Sequence, residues 1–430
     1  MRAAVSALWS RLLEPVFQEK LLFVFRQILI TAVNALTGFV ILRGLSKVDY
    51  AVYTIVFSLL AIFTNITNVG ITPAMSGIGG RVWSDRRRLR QLLNTALRLR
   101  LQLGWWFALP FAGYCIWQFR ATGVGGWTLT LLVLLLLLAA GIQLQLALYA
   151  IVLQLNKAVR RMQQNELWIA LGKLGGVLAL LFFQCPVDGV VGWICLCLLL
   201  NLYANRRLAQ RHLEEHRETD PQFQKEINGI VRTNLVRTIY WSLEGQISIL
   251  LCSLFASTES IAEIGALGRL SVYFAIFQAF ILNYSLPGLA KAQERDAIRH
   301  RSQRILGLSL AAVLPILVWA LLHPPSLLWI LGAKYQSLEP FLFPYLLAVS
   351  AGQLAAVVYQ ICASKAWIDL NRYYVPLALP LQILLIRWLD LSSLTNIILF
   401  LGVNNLFFLL FNLSMFYFSF KRRVSAPVIP

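Results

Sequence analysis

Apolar runs of about 18 residues or more recur from one end of the chain to the other, and a run of that length is what a helix needs to cross a bilayer. Inside hydrocarbon the backbone has to satisfy its own hydrogen bonds, so these runs predict a bundle of helices. No period-two alternation of the kind a barrel needs is present. Residues are 58% hydrophobic and only 13% charged, which leaves too little polar surface for a soluble chain of 430 residues. The pattern places spans near 21–42, 50–72, 99–118, 127–155, 166–184 and 187–204. After a polar stretch come spans near 229–256, 260–287, 305–322, 338–362, 374–389 and 393–418. The expected fold class is an all-α integral membrane protein of about twelve helices. Its expected domains are a six-helix bundle over 1–204, a linker over 205–228 and a second six-helix bundle over 229–430.

Charge supports that layout. With the N-terminus in the cytoplasm, only Arg43, Lys47, Arg120, Lys334 and Arg387 of the 38 Lys and Arg fall in outer loops. Three more, Arg26, Lys173 and Arg269, fall inside spans, and the rest sit on inner segments. That asymmetry is the positive-inside pattern, and an even number of spans puts both termini in the cytoplasm. The net charge of +19 therefore reflects topology rather than nucleic-acid binding, since no run mixes stacking aromatics with basic residues on a soluble module. The first span is expected to serve as the insertion signal, because Met1 to Lys20 is charged and amphipathic, without a signal-peptide core.

The passage from Arg43 to Arg90 has a counterpart 214 residues later. Asp49 falls on Glu263, Phe63 on Phe277, Pro73 on Pro287, Arg81 on Arg295, Arg87 on Arg301 and Arg90 on Arg304. An offset near half the chain predicts a duplicated unit, two bundles related by an internal repeat around a central cavity.

Catalytic constellations are missing, so no enzyme activity is expected. His212 and His216 stand four apart, but Glu214, Glu215 and Glu218 surround them, which reads as a solvated helical face rather than a metal site. No Gly-Lys-Ser/Thr phosphate loop occurs. Cys115, Cys185, Cys195, Cys197, Cys252 and Cys362 read as packing residues. No cofactor and no metal is expected. Outer loops are mostly short, apart from His323 to Leu338, so no outer domain can hold a polymerase's donor and acceptor. Gly172-Lys-Leu-Gly-Gly176 has the small-xxx-small spacing of close helix approach.

Ionisable groups at membrane depth are costly and usually face protein or water. Arg26, Glu166, Lys173, Glu244 and Arg269 are such groups. Glu166, Lys173 and Gln184 share one face of the fifth span, and Arg269 shares its face with Tyr273, Ile276 and Phe280. Polar stripes accompany them: Gln27, Thr31, Asn34 and Gly38; Thr54, Ser58, Asn65 and Asn68; Gln353, Gln360 and Ser364; and Asn405 with Asn412. Two readings stand for each stripe, an aqueous cavity wall or interhelical hydrogen bonding. For the charges the alternatives are cavity lining or internal pairing such as Glu166 with Lys173, and Arg26 has the further option of snorkelling to the interface.

Leu42-Arg43-Gly-Leu-Ser-Lys-Val-Asp49-Tyr50-Ala-Val-Tyr53, followed by Asn68-Val-Gly70-Ile, resembles the first two helices of polysaccharide flippases in the multidrug/oligosaccharidyl-lipid/polysaccharide (MOP) exporter superfamily. Ser260-Ile-Ala-Glu-Ile-Gly265-Ala-Leu looks like that family's repeated turn, although Ser46 and Ala51 stand where glycines are usual. The resemblance implies two bundles alternating between inward-open and outward-open states in a bacterial inner membrane. Its implied substrate is an undecaprenyl-pyrophosphate-linked oligosaccharide, moved from the cytoplasmic to the periplasmic leaflet, with a glycan polymerase or glycosyltransferases as further partners. Arg26, Asn34, Lys173 and Arg269 would then contact the anion, while Glu166 and Glu244 would pair with them or carry a coupled proton. A cation-coupled drug exporter of the same superfamily and a non-transporting scaffold for glycan-assembly enzymes are the competing expectations.

Overall fold

A computed structural model describes residues 15–424, apart from 215–217, 282–284, 287–288, 290–291, 293 and 366. The described residues form sixteen α-helices, with short 3-10 turns at Ala333–Leu338 and Asp369–Tyr373. The first compact unit runs to Gln246 and the second starts at Ile247. Unit one holds α1 (Pro15–Gly44), α2 (Lys47–Asn68), α3 (Ile71–Val82), α4 (Arg86–Ala121), α5 (Gly126–Leu155), α6 (Val159–Phe182), α7 (Val187–Gln210) and α8 (Pro221–Glu244). Unit two holds α9 (Ile247–Phe255), α10 (Thr258–Leu270), α11 (Val272–Phe280), α12 (Arg295–Leu322), α13 (Pro324–Leu331), α14 (Glu339–Ser364), α15 (Tyr374–Trp388) and α16 (Leu394–Val424).

Eight helices are long and apolar enough to cross a membrane by themselves. Most of their ends lie close to the sequence expectation, and the largest differences are at the ends that carry basic residues. α4 starts at Arg86 and α12 at Arg295, each well before the apolar run, because a basic segment in water loses nothing by staying helical. Two expected spans are broken. The seventh divides into α8 and α9 at Gly245–Gln246, and the eighth into α10 and α11 at Ser271. Broken helices at membrane depth need partners for the freed backbone groups. At the first break Gln246 N donates to Leu243 O at 3.1 Å, and the Ser58 hydroxyl of α2 donates to Gln246 Oε1 at 2.9 Å.

That tie explains the unit boundary. α8 packs on α2, α3 and α4, so the first unit ends at Gln246 instead of in the polar stretch 205–228. The repeat is also shifted from its expected register. α2 and α10 begin 211 positions apart, at Lys47 and Thr258, and α4 and α12 begin 209 apart, at Arg86 and Arg295.

Capping residues fix the helix starts. Ser46 Oγ accepts from Asp49 N at 3.0 Å and bonds Asp49 Oδ2 at 2.7 Å, a reciprocal cap on α2. Ser257 Oγ accepts from Ser260 N at 3.2 Å on α10, and Asp85 and Asp220 cap α4 and α8. The motif Ser46-Lys-Val-Asp49 is thus a helix start by construction. The segment His323–Leu338 folds as α13 and a 3-10 turn, burying Leu327, Leu328, Leu331, Tyr335 and Leu338.

Gln184 lies beyond the end of α6 with φ +52°, so it does not share the helical face of Glu166 and Lys173. A left-handed conformation costs a β-carbon-bearing residue about 1–2 kcal/mol, and glycine adopts it freely. Gln184→Gly is therefore expected to raise the melting temperature of the purified protein; an unchanged or lower value would count against the strain.

Candidate functional site

The polar residues of α1 mostly turn back on their own helix. Thr31 Oγ1 donates to Gln27 O at 2.9 Å, Thr37 Oγ1 to Val33 O at 2.8 Å and Asn34 Nδ2 to Ile30 O at 2.9 Å. That last bond leaves the Asn34 carbonyl oxygen directed away from α1, where it accepts from the Lys173 ammonium of α6. Two to three helical turns away, Gln163 Nε2 donates to Gln27 Oε1 at 3.2 Å, so polar pairs join α1 to α6 at two levels.

α7 closes the third side. Trp193 Nε1 donates to Lys173 O at 3.3 Å, and a β-carbon on Gly176 would come within 2.0 Å of the Trp193 ring. The indole occupies the space that glycine leaves free. Gly172 and Gly175 have open space where a side chain would go, so within the Gly172–Gly176 motif only Gly176 serves close approach.

Between the three helices lies a cavity of about 230 Å³. α1 contributes Ile30 and Asn34, α6 contributes Glu166, Ile169, Ala170 and Lys173, and α7 contributes Ile194, Cys197, Leu198 and Asn201. Asn205 Nδ2 donates to Asn201 Oδ1 at 3.1 Å, extending the polar wall one turn along α7. A cavity lined by an amine, a carboxylate and two amides within apolar walls can hold a charged, hydrogen-bonding group. Glu166 and Lys173 are seven residues apart, about 10 Å along the helix, so they offer separate points of contact.

Three expected site residues lie elsewhere. Arg26 is half-buried on α1, two helical turns from Asn34 and on the same face, and it is outside the cavity lining. Glu244 is the last residue of α8, beside the Gly245–Gln246 break. Arg269 belongs to the second unit, in the last turn of α10 before the Ser271 break. The five expected intramembrane charges thus divide into a pair lining a cavity, a pair at helix ends, and Arg26 on α1 outside both. A cation in the last turn, as at Arg269, complements the helix dipole, whereas a carboxylate there, as at Glu244, opposes it.

In unit two, Asn405 of the expected stripes joins two helices, and a further amide pair does the same. Asn405 Nδ2 donates to Ala348 O at 3.0 Å, and Gln382 Nε2 to Asn404 Oδ1 at 2.9 Å. A β-carbon on Gly352 would lie 2.9 Å from Asn405 Cγ, so α14 and α16 meet closely there. Asn412 Nδ2 donates to Phe408 O of its own helix at 2.8 Å.

Sequence reasoning missed Cys197 and Asn201 as cavity residues and Arg100 as a buried charge. Arg100 is 3% exposed on α4, and its Nε and Nη1 lack a hydrogen-bond partner among the described residues. Only the Asn201–Asn205 spacing could have pointed to α7.

No protein-family model matches the chain, and no curated protein matches it in sequence. Solved structures do. An inward-facing multidrug-resistance MATE family transporter of the MOP superfamily superposes with TM-score 0.68 at 12% identity, over 92% of this chain and 94% of that one. The lipid II flippase MurJ, in an inward closed conformation, gives TM-score 0.69 at 13% identity, over 92% and 87%. The chain has the MOP-exporter fold. A MOP superfamily transporter from Pyrococcus furiosus, described as having a binding pocket of reverse polarity, gives 0.59 at 13% identity over 94% and 95%. The MOP fold accounts for the multi-pass helical architecture. It is shared here by a drug-resistance transporter and a lipid flippase.

Proposed function

We propose that this MOP-fold protein flips an anionic lipid-linked oligosaccharide across a bacterial inner membrane by alternating access, with both termini in the cytoplasm. The observation that carries the reading is the Lys173 ammonium, held by Asn34 at the wall of a cavity in the first bundle. In low dielectric an amine there attracts phosphate or acidic sugar far more strongly than in water. The motif around Ser46 to Tyr53 supports the same family of substrates. In this reading Lys173 and Asn34 bind the anion, Arg26 and Arg269 assist it, and an undecaprenyl-pyrophosphate carrier supplies the charge. Glycan polymerase or glycosyltransferases would act before and after the transport step. Glu244, at the carbonyl end of α8, is suited to a coupled proton or cation, since half-helix ends in transporters coordinate such ions.

Glu166 favours a second reading, export of cationic drugs, because a carboxylate in the same cavity attracts a cation. Reconstituted vesicles separate the two. A fluorescent undecaprenyl-pyrophosphate oligosaccharide placed in one leaflet is expected to become accessible to a membrane-impermeant quencher from the other side. If the label stays in its original leaflet while the vesicles accumulate a cationic dye, the flippase reading fails and the drug reading stands. Movement of neither would favour a scaffold.

A further inference from the structure

A second concavity lies on the first unit, away from the Lys173 cavity. It is a groove of about 220 Å³ between α4 and α5, with Phe63 of α2 at its floor. Its walls are apolar: Leu101, Trp105 and Ala108 on α4, and Leu137 and Leu144 on α5, with Gly141 leaving the space open and Gly104 in close approach to Leu144. Phe63 is fixed by the Phe111 ring at 4.7 Å between centroids, so the floor is rigid. Trp105 is 78% exposed, which places the mouth on an uncovered face. Gly141 is midway along α5, a helix without a single charge, so the groove sits at hydrocarbon depth.

One cation shares its helical face. Arg98 is exposed, and positions 98, 101, 105 and 108 follow at separations of three, four and three, one stripe of α4. The arginine lies about 5 Å along the helix from Leu101, on the side of the Arg86–Arg90 run. Every charged residue on α4 is an arginine. An occupant of the groove therefore has a hydrocarbon chain in the apolar part and a negative group at the Arg98 end. We propose that this groove binds one anionic membrane lipid of the cytoplasmic leaflet, its phosphate against Arg98 and one acyl chain between α4 and α5.

The site is independent of the cargo in the Lys173 cavity. Its test uses the full-length protein in phosphatidylcholine vesicles carrying a phosphatidylglycerol probe with a diazirine in one acyl chain. Phosphatidylcholine with the same diazirine chain is the comparison. Phosphatidylglycerol is expected to label the peptides containing 101–108 and 137–144 in preference to other helices. Arg98→Gln is expected to lower that labelling about fivefold, the worth of one arginine near an anionic headgroup, to the phosphatidylcholine level. Gly141→Leu puts a side chain into the groove from a position whose β-carbon meets nothing within 4 Å, and is expected to remove labelling by both probes. Gly113→Leu, on α4 but outside the groove and equally open, is expected to label like the unaltered protein. Equal labelling by the two lipids, or labelling that survives Gly141→Leu, overturns the proposal; so does equal loss in Gly113→Leu.

Discussion

Lys173→Gln is expected to reduce flipping of an anionic lipid-linked glycan by about 10- to 100-fold, while the protein still reaches the membrane in normal amount. The estimate is the loss of one hydrogen bond to a charged group, about 1.5–3 kcal/mol. Glutamine is one atom shorter but keeps a donor for Asn34, so the contact between α1 and α6 can persist with a small adjustment while the charge is gone. The sharper variant is Asn34→Asp, which is nearly isosteric. It turns the Lys173–Asn34 hydrogen bond into an ion pair and offsets the ammonium charge without removing the amine. Glycan flipping is then expected to fall as far as in Lys173→Gln. Resistance to cationic drugs in a sensitive host reports the rival reading, because two carboxylates, Asp at 34 and Glu166, would then line one cavity. Full glycan flipping in both variants would remove this cavity from the transport path.

Gly176→Leu is expected to be the most destabilising single change in the first unit. Its β-carbon alone would stand 2.0 Å from Trp193 Cε2, and the indole cannot retreat without losing its bond to Lys173 O. Overpacking of a closed helix contact costs about 1–3 kcal/mol, and here it would also move the helix that carries Lys173. Gly175→Leu, one position away, meets nothing within 4 Å and is expected to be close to neutral. The measurement is thermal unfolding of both purified variants. Trp193→Ala should restore part of the Gly176→Leu loss, since contacting residues are non-additive. Equal stability of the two leucine variants would show that α6 and α7 do not meet as described.

The spans were legible because the bilayer imposes length and apolarity, and because Lys and Arg mark the inner ends. Helix continuity was not. Gly245 and Ser271 interrupt the seventh and eighth spans, yet neither is flanked by proline, and Glu244-Gly-Gln246 reads equally well as a polar site inside a continuous span. The unit boundary was displaced for the same reason: α8 reads as the start of a second half but has its packing partners in the first. In the cavity, Lys173, Asn34 and Glu166 could be found because polar groups at membrane depth are conspicuous. Cys197 and Asn201 could not, since small or amide side chains serve equally as helix contacts. Arg100 was hidden by its neighbours, as it ends a basic segment that looks solvated although its guanidinium is buried.

The boundary at Gln246 bears on how the two units are joined. The chain passes from one unit to the other after Gln246, whose side-chain oxygen accepts from Ser58, whereas the polar stretch before α8 connects parts of one unit only. A change of angle between α8 and α9 would therefore act on the backbone within the lipid, at the residue next to Glu244. In the proposed transport cycle, loading that carboxylate with a proton or cation and moving the chain at Gln246 would then be one local event, with no signal carried through the polar stretch before α8.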